Sequence, residues 1–241
     1  MPTPGRSPRP RGFRALVPAQ AWATLAQQGV RAHHQAREYL LHQGAPGGWV
    51  YLCLSGRVKV VYAEPDGREL MLAVRGPGDV IGELATADSG FRSTSVQTIE
   101  PGITSKLPDQ RFDEFVERLG LGQQLNSYIL GKLRESATHA WQLAHRTTPA
   151  RLAALLLSVI KAAGPDHPRA TTIAMSQEEL AAALGLARSA ITPVLAEWKA
   201  AGWIRIARGS VEVTNLTKIA YVAVSSSGQT VSESQATLVP P

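Results

Sequence analysis

The chain has 241 residues, 44% hydrophobic and 18% charged, which is enough apolar material for packed cores in one or two domains. Its one cysteine, Cys53, excludes an internal disulfide, a four-cysteine zinc site and an iron–sulfur cluster held by four thiolates. No run reaches the roughly 18–20 apolar residues of a membrane span, and the N-terminus lacks the apolar stretch of a secretory signal, so a cytoplasmic location with no membrane contact is expected.

The net charge of +6 is unevenly spread. Residues 1–14 carry four arginines and four prolines without an acid, and read as a disordered basic arm. Residues 15–146 balance 13 basic against 13 acidic side chains, and residues 147–221 hold eight basic against five acidic. A mild basic excess in the arm and the C-terminal part permits nucleic-acid binding, and is equally compatible with ordinary solubility charge.

From about Val30 to Leu107 the pattern is β. Short apolar runs, Trp49–Leu54, Val58–Tyr62 and Glu69–Val74, are punctuated by Ser55-Gly56, Pro65-Asp66-Gly67 and Gly76-Pro77-Gly78-Asp79. Strands this short, spaced by roughly 8–12 residues, indicate an all-β barrel or sandwich. After Pro108 the pattern turns helical. Asp109 is a candidate N-cap for a helix to about Arg118. A proline-free stretch from about Gly120 to Arg146 carries Leu125, Ile129, Leu133, Ala137, Ala140 and Ala144 at spacings of three and four. A narrow stripe on so long a rod suits packing against another helix as well as its own domain.

Thr148 and Pro149 open the next helix, predicted to run to about Ala163 before Gly164-Pro165. Ser176-Gln177-Glu178-Glu179 is a capping box. Leu180 and Leu184 face inward, Gly185 breaks the helix, and a second helix starts near Arg188 with Ile191, Val194, Leu195 and Trp198 on one face. Two β-like runs, Trp203–Ile206 and Val211–Val213, flank Ala207-Arg208-Gly209-Ser210. This is helix, glycine turn, helix and hairpin wing. From about Ser225 the chain is Ser/Gln/Thr-rich and expected to be disordered. No catalytic constellation, phosphate-binding loop or metal-ligand spacing appears, so no enzyme, cofactor or metal is expected.

Residues 30–215 resemble the cyclic-AMP receptor protein (CRP/FNR) family of transcription regulators. The resemblance is carried by Leu41-His42-Gln43-Gly44, Leu54-Ser55-Gly56-Arg57-Val58, Asp66-Gly67-Arg68-Glu69, Gly78-Asp79-Val80-Ile81-Gly82-Glu83-Leu84 and Arg92-Ser93. It implies an α+β chain. Residues 15–118 would form a sensor domain with a cyclic-nucleotide-binding-type β-roll, a jelly-roll barrel. Residues 119–146 would form a dimerisation helix, 147–221 a winged helix-turn-helix, and 222–241 a disordered tail.

The resemblance also assigns a ligand site to Leu72, Ala73, Gly82, Glu83, Leu84, Arg92 and Ser93, closed by Ser136 and Ala137 of the long helix. Gly82 lets a ligand approach the backbone. Glu83 can accept from a ribose hydroxyl, and Arg92 offers a fork to a cyclic phosphodiester. The effector would be cAMP or another cyclic nucleotide. An empty barrel with a structural Glu83–Arg92 ion pair is the plainer reading. Phe91 precedes the arginine in a loop one residue shorter than in the cAMP binder, which bears on where Arg92 points. Histidines 33, 34, 42, 139 and 145 raise haem as a remoter ligand.

On the DNA side, Arg188, Ser189 and Thr192 open the helix expected in the major groove. Ser176, Gln177, Lys199 and Arg208 are candidates for phosphate contact. Ser189 and Pro193 stand where the family's reading triplet has a glutamate and a second arginine, so the operator should differ or the helix start later. Expected partners are a double-stranded DNA operator, a second copy of the chain and RNA polymerase. The rival functions are a regulator of the same build working without a nucleotide, and a cyclic-nucleotide module acting on a partner protein.

Overall fold

The computed structural model describes residues 10–225 apart from 88–89 and 165. Strands β1 (Val30–His34), β8 (Gly102–Pro108), β3 (Trp49–Ser55) and β6 (Val80–Ile81) form one antiparallel sheet in the order β1-β8-β3-β6. Strands β2 (Tyr39–Leu41), β7 (Ser95–Thr98), β4 (Val58–Ala63) and β5 (Glu69–Arg75) form a second, β2-β7-β4-β5. Side chains alternate across a strand, so β3 feeds two cores. Tyr51 and Cys53 point between the sheets with Leu40, Val58, Ile81 and Val96. Val50 and Leu52 point outward, under a helical layer with Phe13, Leu25, Phe112 and Tyr128. This is the expected β-roll.

The helical layer brings the first correction. Residues 10–14 are not a free arm: Gly12–Ala15 form a 3-10 turn whose Phe13 is fully buried, and Arg11 Nη1 lies 2.7 Å from Asp79 Oδ2. One aromatic ring among the eight arginines and prolines of residues 1–14 carries little periodic signal, yet burying it releases roughly 1.5–3 kcal/mol. The arm's residues 1–9 lie outside the described residues. Helix α1 (Ala19–Gln28), unpredicted, buries Ala21, Trp22 and Leu25 in the same layer. The short helix α2 (Glu83–Ala87) follows β6, and α3 (Asp109–Arg118) has Pro108, not Asp109, at its N-cap. The long helix α4 (Gly122–His145) has 24 residues, or about 36 Å at 1.5 Å per residue.

In the C-terminal half, α5 (Thr148–Ala162) has Thr147 at its N-cap position, without a side-chain capping bond. Helices α6 (Gln177–Ala183) and α7 (Arg188–Ala200) are joined through Gly185, whose φ is +64°. Strands β10 (Ile204–Ala207) and β11 (Ser210–Val213) form the wing, extended by β9 (Thr172–Ile173). Ile191, Leu195 and Trp198 are buried as read from their spacing. Helix α8 (Leu216–Val224) runs past the predicted end of the domain at 221, with Ile219 and Ala223 buried, so residues 222–224 belong to this fold and not to a tail. Residues 226–241 lie outside the described residues.

The two halves share one apolar cluster: Val61, Met71, Val74 and Ile99 of the roll pack with Leu156, Val159 and Leu180. The joint is also polar. Arg57 is 1% exposed; it pairs with Glu100 at 2.6 Å and donates to the carbonyls of Ala170 and Thr172 at 3.1 and 2.7 Å. Gly76 lies so close to α5 that a Cβ there would sit 2.0 Å from the Ala162 carbonyl oxygen.

Candidate functional site

Between the sheets and α4 lies a cavity of about 380 Å³. It gathers Leu72 and Ala73 from β5, Gly82, Glu83 and Leu84 at the start of α2, Arg92 and Ser93 before β7, and Ser136 from α4. Eight of the nine predicted ligand residues therefore meet in one space. The ninth, Ala137, is exposed and lies outside the lining of its own protomer's cavity, since the next residue along a helix turns away by about 100°.

Gly82 has φ +92°, and a Cβ there would come within 2.8 Å of both Arg92 Nη1 and the Trp49 carbonyl oxygen. Glycine is needed at this position for both reasons. Arg92 is 5% exposed; Nη1 donates to the Gly82 carbonyl at 2.7 Å and Nη2 to the Trp49 carbonyl at 2.6 Å. Its Nε is buried without a partner, and no carboxylate pairs with it among the described residues. Burial pushes its pKa down, with Asp109, Tyr51 and Glu83 pulling it back up. A buried cation held, among the described residues, by carbonyl dipoles is a site for an anion.

The Glu83–Arg92 ion pair of the plainer reading does not form. Glu83, 3% exposed, pairs instead with Lys132 of α4, Nζ to Oε1 2.6 Å. Lys132 also donates to the Val80 carbonyl at 2.9 Å and lies 4.5 Å from the Tyr128 ring centre. Arg75 at the cavity edge pairs with Glu135 at 2.8 Å. Sequence reasoning missed Lys132 and Arg75. Lys132 was findable, since it stands one helical turn before Ser136 and shares its face. Phe91 is 74% exposed, and the shortened loop still delivers Arg92 to the cavity. Of the histidines, His34 is spent on Glu38 and Thr104, and His42 stacks on Tyr39. No cluster of three metal-ligating side chains forms among the described residues.

The second site is the α6–α7 pair. Ser176 Oγ accepts from the Glu179 N–H at 3.1 Å, while the Glu179 carboxylate accepts from the Ser176 N–H at 2.7 Å. The capping box forms as read, with the Ser176 hydroxyl oxygen as its acceptor, which leaves the O–H of this phosphate-contact candidate out of the box. Arg188, Ser189 and Thr192 are exposed on the first turns of α7, and Arg208 is exposed at the wing tip; Gln177 is half-buried. Thr192 Oγ1 donates to the Arg188 carbonyl at 2.9 Å. The helix does start at Arg188, so Pro193 sits in its interior and leaves the Ser189 carbonyl without its N–H.

Comparison with known proteins agrees with this layout. Residues 31–119 match the cyclic nucleotide-binding domain family, and residues 150–221 the Crp-like helix-turn-helix domain family. The chain is 32% identical over 211 residues to the CRP-like cAMP-activated global transcriptional regulator of Mycobacterium tuberculosis, covering 86% of this chain and 94% of that one. It is 28% identical to the cyclic AMP receptor protein of Thermus thermophilus, covering 88% and 95%. Among solved structures, FixK2 from Bradyrhizobium japonicum shares the fold with a TM-score of 0.68 at 19% identity, covering 83% of this chain and 99% of that one. A CRP/FNR-family regulator from Thermus thermophilus does so at 0.66 and 23%, covering 82% and 100%. A sensor roll, a long helix and a helix-turn-helix, matched in order and nearly end to end by such a relative, place this chain in the CRP/FNR family of transcription regulators.

Proposed function

We propose that this regulator works as a homodimer whose two α7 helices are set for operator DNA by a cyclic nucleotide in the roll, with cAMP favoured over cGMP. The observation that carries the reading is Arg92: a buried guanidinium that pairs with no carboxylate among the described residues, in a cavity that also offers Glu83, Ser93 and Ser136. Arg92 and Ser93 would take the cyclic phosphate, Glu83 the ribose hydroxyl, Ser136 the base, and Leu72, Ala73 and Leu84 the apolar faces. The ribose would then compete with Lys132 for Glu83, so ligand entry would loosen a bond between roll and α4.

On this reading residues 15–118 sense, 119–146 dimerise and 147–224 bind DNA. Leu130, Leu133 and Trp141, 48, 65 and 54% exposed, would form the seam between two α4 helices, with Ala137 letting the backbones approach. The ligand would favour the dimer geometry that sets the α7 helices about 34 Å apart, one helical turn of DNA. Arg188 would read a guanine edge; Gln177, Lys199 and Arg208 would hold phosphates, and Ser189 and Thr192 would contact bases. RNA polymerase is the expected downstream partner. The cAMP-activated relatives support this effector. Calorimetry with cAMP and cGMP, on wild type and Arg92→Gln, tests the sensor. Selection of random DNA with and without cAMP tests the switch. Absence of binding by either nucleotide rejects the effector and leaves the DNA reading standing.

A further inference from the structure

A second cavity, of about 480 Å³, opens where α4 meets the DNA-binding half. Cavities of about 300–1,000 Å³ hold small ligands. Residues 71–74 of β5, the last turns of α4, one face of α5, and the ends of α6 and α8 form its walls, and Leu143, Ala154, Leu155, Leu157 and Leu184 make it largely apolar. Three cations line it, Arg146, Arg151 and Lys161, and none forms an ion pair among the described residues. The one lining acid, Glu135, is committed to Arg75. Arg151 gives one N–H to the Leu184 carbonyl. Its Nε is buried without a hydrogen-bond partner among the described residues, while the His139 ring, also in the lining, faces the Met71 backbone. Leaving a buried polar atom unpaired is costly, and Arg151, which carries one, belongs to the lining of this space.

We propose that this cavity is a second small-molecule site, and that its ligand is an amphipathic carboxylate. The apolar body would lie along the leucines, with the carboxylate on Arg151 Nε. His139, whose ring nitrogen donates or accepts according to its protonation, would close the polar end. Surplus positive charge selects an anion, and apolar walls select a body that a phosphate or small dicarboxylate lacks.

The site would also be coupled to the first. Leu72 and Ala73 line both cavities, and the Arg75–Glu135 pair joins them, with Arg75 in one wall and Glu135 in the other. A ligand here would bridge α4 to α5 and shift the same joint that the cassette controls. This coupling rests on the proposed cyclic-nucleotide reading; the site itself does not.

The test is calorimetry of the full chain with decanoate below its micelle threshold, with decylammonium as the charge-reversed control. Decanoate is expected to bind once per chain and decylammonium not at all. Arg151→Gln should weaken decanoate about tenfold or more, the loss of one charge-assisted hydrogen bond. Arg92→Gln should leave it unchanged. If Arg151→Gln does not fold, Arg151→Lys removes the same Nε donor and is read in the same way. No decanoate binding, equal binding of decylammonium, or indifference to Arg151 overturns the proposal. So does binding lost in Arg92→Gln and kept in Arg151→Gln, which puts the carboxylate in the cassette. A chain that binds no cyclic nucleotide but binds decanoate through Arg151 loses only the coupling.

Discussion

The cassette and the reading helix solve opposite problems with the same residue types. In the cassette, Glu83 and Arg92 are 3% and 5% exposed and pinned, Glu83 to Lys132, Arg92 to two carbonyls. On α7, Arg188 is exposed and makes no side-chain hydrogen bond or ion pair among the described residues. A small ligand must be recognised inside a low-dielectric cavity, where each charge needs a fixed partner before the ligand comes and exchanges it on arrival. DNA is met at the surface, where a solvated arginine waits at little cost and counterion release helps binding. Mutations should therefore damage stability in the first region and binding alone in the second.

The sharpest attempt to break that contrast is Lys132→Met. It leaves the Glu83 carboxylate buried and unpaired, and should cost about 3 kcal/mol of unfolding free energy at pH 7 in urea titrations. Adding Glu83→Gln should recover most of it. A single variant as stable as wild type would show that the pair is not what holds Glu83. Next comes Arg92→Gln, which should weaken cAMP by roughly 10–100-fold in calorimetry through loss of a charge-assisted hydrogen bond. An unchanged affinity would remove Arg92 from the site.

Arg188→Ala probes the other side. It should cost about 1–3 kcal/mol in operator binding by fluorescence anisotropy, yet shift the unfolding free energy by no more than about 0.5 kcal/mol, as exposed sites do. A large stability loss here would erase the distinction between the regions.

The smallest effect belongs to the contact where the two halves meet in solvent, Arg37 Nε to Glu179 Oε1 at 2.7 Å. Burial pushes Glu179 up, but hydrogen bonds from Arg37 and from Ser176 outweigh it and hold the carboxyl at about 2. A depressed pKa stabilises the fold above the ordinary glutamate value of about 4.3 and loses that contribution as pH falls toward 2. Since Arg37 is 56% exposed, Arg37→Ala should cost only about 0.5 kcal/mol at neutral pH. The difference from wild type should fade below about pH 4; a constant difference across that range would point to packing instead of charge.

Local signals in the sequence were sufficient wherever a residue's role is set by its neighbours in the chain. The capping box at Ser176 and Glu179, the inward face of Ile191, Leu195 and Trp198 and the turn glycines are all of this kind, whereas the cassette from Gly82 to Ser93 was legible only through the family resemblance. Backbone dihedrals, caps and one-turn spacings are short-range physics, so they can be read without the fold. What the tertiary structure alone decided is every pairing across long separations. Phe13 became a core residue because Val50 and Phe112 made room for it; Lys132, not Arg92, became the partner of Glu83; Arg57 came to join the two halves. Which buried charge meets which is set by the three-dimensional path of strands and helices, and no periodicity in one segment encodes the position of another.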